Sequence, residues 1–268
     1  MMNPFDTAIQ SQLVHLGWSS AALTHAVRTI ADFYLFKGLF PLALLWALWF
    51  SPSDTVQERR EMVVATLASG LVAFVVGRFL AHALPFRVRP IYDANLHLAF
   101  PLQGETERFL RTWSSFPSDH AALWMAMAVG IFLVWRWLGA IAILQCALLV
   151  CFPRVYLGLH YPTDVIAGAI IGAITAWAMT REPVRKRFAP AIVRFIETRP
   201  AVGYMLAFVL FFELATMFDE PRLLASSLEA RLMHEHVQND ASGNAQKIDP
   251  PSRADAKHSL KSVASTNG

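Results

Sequence analysis

Six apolar runs constrain this 268-residue chain more than any other feature, at about 31–50, 62–84, 120–138, 139–153, 163–180 and 201–218. A helix that crosses the hydrocarbon core of a bilayer needs roughly 17–25 predominantly apolar residues. Lipid offers the backbone no hydrogen-bond partner, so such runs fold as helices that satisfy their own amides. Charged residues make up only 16% of the chain, where a soluble domain carries about 25%. The expected fold is therefore all-α, a polytopic membrane helix bundle of about six transmembrane helices. The 139–153 run is short for a span and has to borrow flanking residues.

Outside those runs the chain divides simply. Residues 5–29 mix apolar and polar side chains at helical spacing without a continuous apolar centre, the pattern of an amphipathic helix lying in the membrane interface. The same stretch lacks the basic start and apolar core of a cleavable signal peptide. The expected organisation is an interfacial segment over 1–29, a transmembrane domain over 30–218 and a polar, disordered tail over 219–268. Cys146 and Cys151, five residues apart in one apolar run, read as small core residues. His234 and His236 in the tail are a weak metal-binding pattern.

The formal net charge is only +3, so its distribution carries the information. Arg181, Arg185, Lys186, Arg187, Arg194 and Arg199 crowd the connection before the last apolar run, against two glutamates. The positive-inside rule makes that connection cytoplasmic. Arg59, Arg60 and Arg136 fall on the same side. The opposite side holds the 85–119 connection and the turn near 154–162, with Arg87, Arg89, Arg108, Arg111 and Arg154.

Counting crossings brings three polar clusters to that second face: "RFLAHALPFRVRP", "PSDH" and "PRVYLGLHYPTD". Arg78, His82, Arg87, Arg89, Ser118, His120, Arg154, His160 and Asp164 then share one water–lipid boundary, where ionisable groups are costly and line functional sites. Snorkelling arginines and capping histidines are the plainer reading of each residue taken singly. As a set they suit anion chemistry. Arg89 and Arg154 are fixed guanidinium forks for phosphate oxygens. Ser118 can cap a helix whose first amides form an anion seat. Pro162 starts a helix, and Asp164 in its first turn can reach back to one nitrogen of His160, leaving the other free as a nucleophile. His120 is a second imidazole able to donate a proton to a leaving oxygen. Two arginines beside the histidines disfavour a zinc site, so no metal or other cofactor is expected.

The three clusters together resemble the signature of the type 2 phosphatidic acid phosphatase superfamily, K-x6-R-P, P-S-G-H and S-R-x5-H-x3-D. His82 stands at the lysine position ahead of Arg89-Pro90, Asp119 replaces the glycine, and Pro153 replaces the first serine. "FPSDH" and "GLHYPTDV" are most similar to the bacterial bacitracin-resistance undecaprenyl-diphosphate phosphatases. The resemblance implies that His160 attacks phosphorus to form a phosphohistidine and that Asp164 steadies it. It also implies that His120 serves the leaving group and then the water. Arg89, Arg154, Ser118, His82 and Asp119 make up the expected phosphate-contacting set. Where His82 departs from lysine, Arg78 or the intramembrane Lys37 can substitute; Asp119 can cap its helix or pair with Arg87 or Arg154. Phe100, Phe109, Leu110 and Trp113, in the 91–116 connection, can dip into lipid, or that loop can pack on its own helices.

The implied activity is hydrolysis of a lipid phosphate, foremost undecaprenyl diphosphate, at the outer face of a bacterial inner membrane. Phosphatidylglycerophosphate, phosphatidate or lipid A are alternative substrates, phosphoryl transfer an alternative outcome, and a non-catalytic lipid-phosphate binder a distant one. The implied partners are that lipid and the bilayer, with no nucleic acid; the sequence says nothing of oligomeric state.

Overall fold

The computed structural model describes residues 3–52, 54–100 and 109–218. Residues Met1–Met217 form one compact unit, separate from Phe218–Gly268. The expectations for the tail, including His234 and His236, lie outside the described residues, as does Arg108. Among the described residues every regular element is helical.

The N-terminal segment is two helices, α1 (Pro4–Ser19) and α2 (Ala21–Asp32). Asn3 caps the first, its side chain accepting from the Phe5 amide, and Pro4 follows at the first helical position. Ser20 sits in extended conformation between them and caps α2 through the Leu23 amide. A π-helical turn, Leu35–Leu39, leads into α3 (Phe40–Phe50). Its widened ladder releases carbonyls, and the Gln145 side-chain amide donates to those of Phe36 and Lys37.

α4 (Val56–Ala83) is 28 residues long, about 42 Å at 1.5 Å per residue, and stops just before Pro85. After two single 3₁₀ turns, Pro90–Tyr92 and Ala94–Leu96, and a one-turn α5 (Phe109–Thr112), comes α6 (Asp119–Val134). Trp135, in extended conformation, separates α6 from α7 (Arg136–Gln145). α7 runs through a second π-helical stretch, Cys146–Cys151, into α8 (Phe152–Tyr156). The run expected at 139–153 is thus a continuous 21-residue helix, Arg136–Tyr156. α9 (Pro162–Thr180), α10 (Glu182–Thr198) and α11 (Pro200–Ala215) complete the bundle.

Three of these helices, Val56–Ala83, Arg136–Tyr156 and Pro162–Thr180, are long and apolar enough to cross a membrane. The stretch expected as the first span is broken instead: Ala21–Asp32 and Leu35–Phe50 meet at 66°, and pass as one span only if the pair is taken together. α6 and α11 are apolar but shorter, at 16 residues each. The chain is a multi-pass membrane protein, and among the described residues three helices, or four with the bent pair taken as one, reach spanning length and apolarity.

The core is the triad α4, α6 and α9, which pack on one another more closely than any other elements. α6 and α9 approach so tightly that a Cβ on Gly168 would fall 2.2 Å from the Ser118 carbonyl oxygen, and one on Gly172 2.2 Å from that of Ala122. This small-xxx-small spacing lets two membrane helices touch through their backbones. The first turns of α6 and α9 are also joined directly, the Ser118 amide donating to the Asp164 carbonyl at 3.0 Å.

The basic connection is not a loop. α10 is an amphipathic helix that buries Arg185, Ala189 and Val193 against the start of α4. Arg185 lies 3.0 Å from Glu58, Lys186 2.8 Å from the buried Glu61, and Arg60 2.7 Å from Glu197. The length of α4 therefore separates this basic end from the residues near Ala83.

Candidate active site

His160 is the fourth of the five residues between α8 and α9. Gly158 takes a left-handed conformation there (φ 72°), and the Leu159 and His160 amides both donate to the Arg154 carbonyl, at 3.0 and 3.2 Å. The His160 imidazole is 3% exposed. Its Nδ1 lies 2.8 Å from the Ser115 carbonyl oxygen. A carbonyl only accepts, so Nδ1 carries the proton and Nε2 keeps its lone pair. Nε2 in turn faces the Arg89 guanidinium at 3.2 Å. Arg89 is buried, and its second tie, to the Leu159 carbonyl at 2.8 Å, fixes it against the same turn. Burial foremost, and then the Arg89 charge, hold the proton affinity of His160 below the ordinary imidazole value. Burial also lowers Arg89, against the pull of Asp119.

Asp164 does not orient His160 in the way its spacing suggests. Its carboxylate is 3.8 Å from Nδ1, beyond hydrogen-bond range. The carboxylate instead accepts from the Tyr161 amide at 2.8 Å, from the Ser115 hydroxyl and from Arg87. Asp164 caps its own helix and steadies Ser115, and the Ser115 carbonyl sets the tautomer. Sequence reasoning missed Ser115, because a backbone carbonyl leaves no mark in residue identity. Arg87 is likewise absorbed, bonded to Asp6, Thr163 and Asp164 and stacked on the Tyr161 ring at 4.0 Å.

His120 opens α6. Its Nδ1 lies 2.8 Å from the Asp119 carboxylate, which also accepts from the His120 amide at 2.7 Å. The other Asp119 oxygen is 3.0 Å from Arg78, whose guanidinium covers the Trp113 ring at 4.1 Å. Asp119 thus pairs with Arg78 and His120 rather than capping α6. The cap is Ser118, fully buried, accepting from the Ala121 amide at 3.4 Å. Asp119, counted above among the phosphate contacts, is instead the acid that holds His120 and Arg78. Both histidines act electrostatically on Asp119, while Arg154 and Lys37 act on His120. The two imidazoles, Asp119, Arg78, Arg89 and Arg154 therefore belong to one cluster, with Lys37 at its edge.

His82 does not join it. It is exposed on the last turn of α4, and among the described residues the polar contacts of the site do not include it. Arg78, one turn earlier on the same helix, occupies the place expected of a cation there. Phe100 does not reach lipid either: it is 1% exposed and packs with Val14, Leu96 and Tyr161. The side chains of Phe109 and Leu110 lie outside the described residues. Tyr161 donates to Asp93 at 2.8 Å, and burial followed by that bond raises its phenol above the usual range. Among the described residues no group of three or more His, Cys, Asp or Glu side chains could hold a metal ion.

The segment that builds this cluster matches one family, the PAP2 superfamily, over residues 60–188. Residues 60–188 are a PAP2 superfamily domain. The relatives include the Bacitracin transport permease protein BcrC of Bacillus licheniformis, 26% identical over 170 residues, which cover 60% of this chain and 72% of the relative. The Undecaprenyl-diphosphatase BcrC of Bacillus subtilis is 25% identical over 155 residues, 58% of this chain and 74% of the relative. The Lipid A 4′-phosphatase of Bacteroides thetaiotaomicron is 45% identical over 64 residues, 23% of this chain and 28% of the relative. The chain is accordingly an enzyme, a membrane-bound phosphoric-ester hydrolase whose residues 60–188 match the PAP2 superfamily.

Proposed function

We propose that this PAP2 enzyme hydrolyses a polyprenyl diphosphate, undecaprenyl diphosphate to undecaprenyl phosphate, through a phosphohistidine on His160. The observation that carries the reading is the state of that ring: Nδ1 is committed to the Ser115 carbonyl while Nε2 points at Arg89. In the first step the Nε2 lone pair attacks the terminal phosphorus, and the bond from phosphorus to the bridging oxygen breaks. His120, when protonated, gives its proton to that oxygen. Water, its proton taken by His120, then attacks phosphorus, breaks the P–N bond and releases phosphate. Arg89 and Arg154 stabilise the charge on the phosphoryl oxygens as it passes through the transition state. Asp119 and Arg78 hold His120 for both steps.

The site lies at the Ala83 end of α4, opposite the basic α10. With α10 cytoplasmic by the positive-inside rule, the reaction faces the outer leaflet of a bacterial inner membrane. The membrane domain and the 219–268 tail act as separate parts of the chain. A phosphate monoester is the second reading, favoured by the 45% identity to a Lipid A 4′-phosphatase.

The test uses the full chain in detergent with a chelator present. Undecaprenyl diphosphate, phosphatidylglycerophosphate and lipid A phosphate are offered in parallel, beside a His160→Ala control. Phosphate release is expected, fastest from the diphosphate, and absent in the control. Release that survives His160→Ala removes the nucleophile; a preference for lipid A phosphate transfers the substrate reading to the monoester.

A further inference from the structure

α1 carries two polar side chains that a helix floating in the interface would turn to water. Asp6 is 1% exposed and Gln10 fully buried. Both reach a part of the chain 150 or more residues away. Gln10 donates from Nε2 to the His160 carbonyl at 3.0 Å. Asp6 accepts from the Thr163 amide at 3.0 Å with one oxygen, and from the Thr163 hydroxyl (2.6 Å) and Arg87 (2.7 Å) with the other. Arg87 then bonds Asp164, completing a carboxylate–guanidinium–carboxylate chain that ends on the residue holding Ser115. One turn beyond Gln10, Val14 packs with Leu96, Phe100 and Tyr161.

Burying a carboxylate is expensive unless it is paired and hydrogen-bonded. A helix needed only to hold the membrane has no reason to bear that cost, and its apolar groups would suffice. Here the buried polar contacts converge on three consecutive features of the nucleophile's surroundings. These are the carbonyl of His160, the first turn of α9, and the acid that fixes Ser115. We infer that α1 is a working part of the catalytic unit, with Asp6 and Gln10 as positioning residues that set the His160 imidazole through its backbone, Arg87 and Asp164.

Neither residue touches the reacting nitrogen, which faces Arg89. Their loss should therefore change turnover and leave substrate affinity alone. The inference rests on His160 being the nucleophile, and the test separates the two. Asp6→Asn keeps the shape and removes the charge that holds Arg87 bridged between Asp6 and Asp164. Gln10→Leu leaves the His160 carbonyl without its donor. Each is expected to lower kcat, and the rate of phosphoenzyme formation in an acid-quenched single turnover, by about 10–100-fold, as misplacement of a reacting group does. KM should stay within about threefold. Asp6→Glu, which retains the charge for Arg87, should recover most of the rate.

Thermal unfolding in the same detergent reports any loss of folded protein, which alone would not slow phosphoenzyme formation per folded molecule. Should Gln10→Leu fail to fold, Gln10→Asn, which withdraws the amide by one methylene, is expected to give the same fall in kcat. Wild-type turnover in Asp6→Asn and in the Gln10 variant, with His160→Ala inactive, overturns the role of α1. Wild-type turnover in His160→Ala overturns the functional reading instead.

Discussion

Replacing Gly168 with alanine tests whether the contact between α6 and α9 sets the geometry of catalysis. The new Cβ would lie 2.2 Å from the Ser118 carbonyl oxygen and 3.1 Å from the Ala121 Cβ, where ordinary contact begins at 3.4 Å. Backbone stands on both sides, so no side-chain rotation relieves the clash, and the helices must separate by about 1 Å. Ser118 caps α6, bonds the Asp164 carbonyl and immediately precedes the Asp119–His120 pair. Opening this seam draws His120 away from His160. A misplacement of that size costs about 100-fold in rate, equal to about 2.7 kcal/mol of activation free energy. The assay is initial phosphate release at saturating undecaprenyl diphosphate in detergent, with folding followed by thermal unfolding. Gly70→Ala is the control: its Cβ would meet Met127 Cε at 2.4 Å, the end of a flexible side chain that can repack. Its kcat should stay within about twofold of the parent. A Gly168→Ala enzyme within about threefold of the parent would refute the idea that this seam sets the distance between the imidazoles.

Other outcomes follow from the same geometry. Because burial and Arg89 lower His160, the acid limb of kcat/KM should lie below the ordinary imidazole value of about 6.5; a limb at or above it contradicts a neutral, buried nucleophile. By linkage the folded chain binds that proton less tightly than the unfolded one. The stability owed to neutral His160 is therefore complete above about pH 6.5 and declines on acidification through the window below it, which melting temperatures against pH will show. Arg78→Met should reduce kcat at least tenfold or so by releasing Asp119, while His82→Ala, at an exposed position, should stay within about twofold. Ser115→Ala removes a hydroxyl from Asp164 but keeps the carbonyl that holds His160, so its kcat should fall less than that of Asp164→Ala.

Much of the site was legible in residue identity. Arg89, Ser118, His120, Arg154, His160 and Asp164 carry chemistry in their side chains, and their placement at the ends of apolar runs told which face they share. Where identity misled, the reason was that several residues of like chemistry competed for one position. His82 stands at the lysine position of the motif, yet one helical turn moves the charge to Arg78, and only packing against Trp113 and Asp119 decides between them. Asp119 was expected to cap its helix or pair with Arg87 or Arg154, and it took Arg78 and its own neighbour His120. Hydropathy likewise does not register the break at Phe33–Tyr34 or the 16-residue lengths of α6 and α11.

By itself the sequence determined a helical membrane protein with one face rich in Arg, His and Asp, because apolar length and the supply of those residues are properties of local composition. Tertiary structure alone decided which nitrogen of His160 is free, that a backbone carbonyl of Ser115 frees it, and that the first helix turns Asp6 and Gln10 inward to the same loop. Those outcomes depend on hydrogen bonds between groups far apart in the chain. A backbone carbonyl has no residue signature, and a buried aspartate reads in sequence like an exposed one.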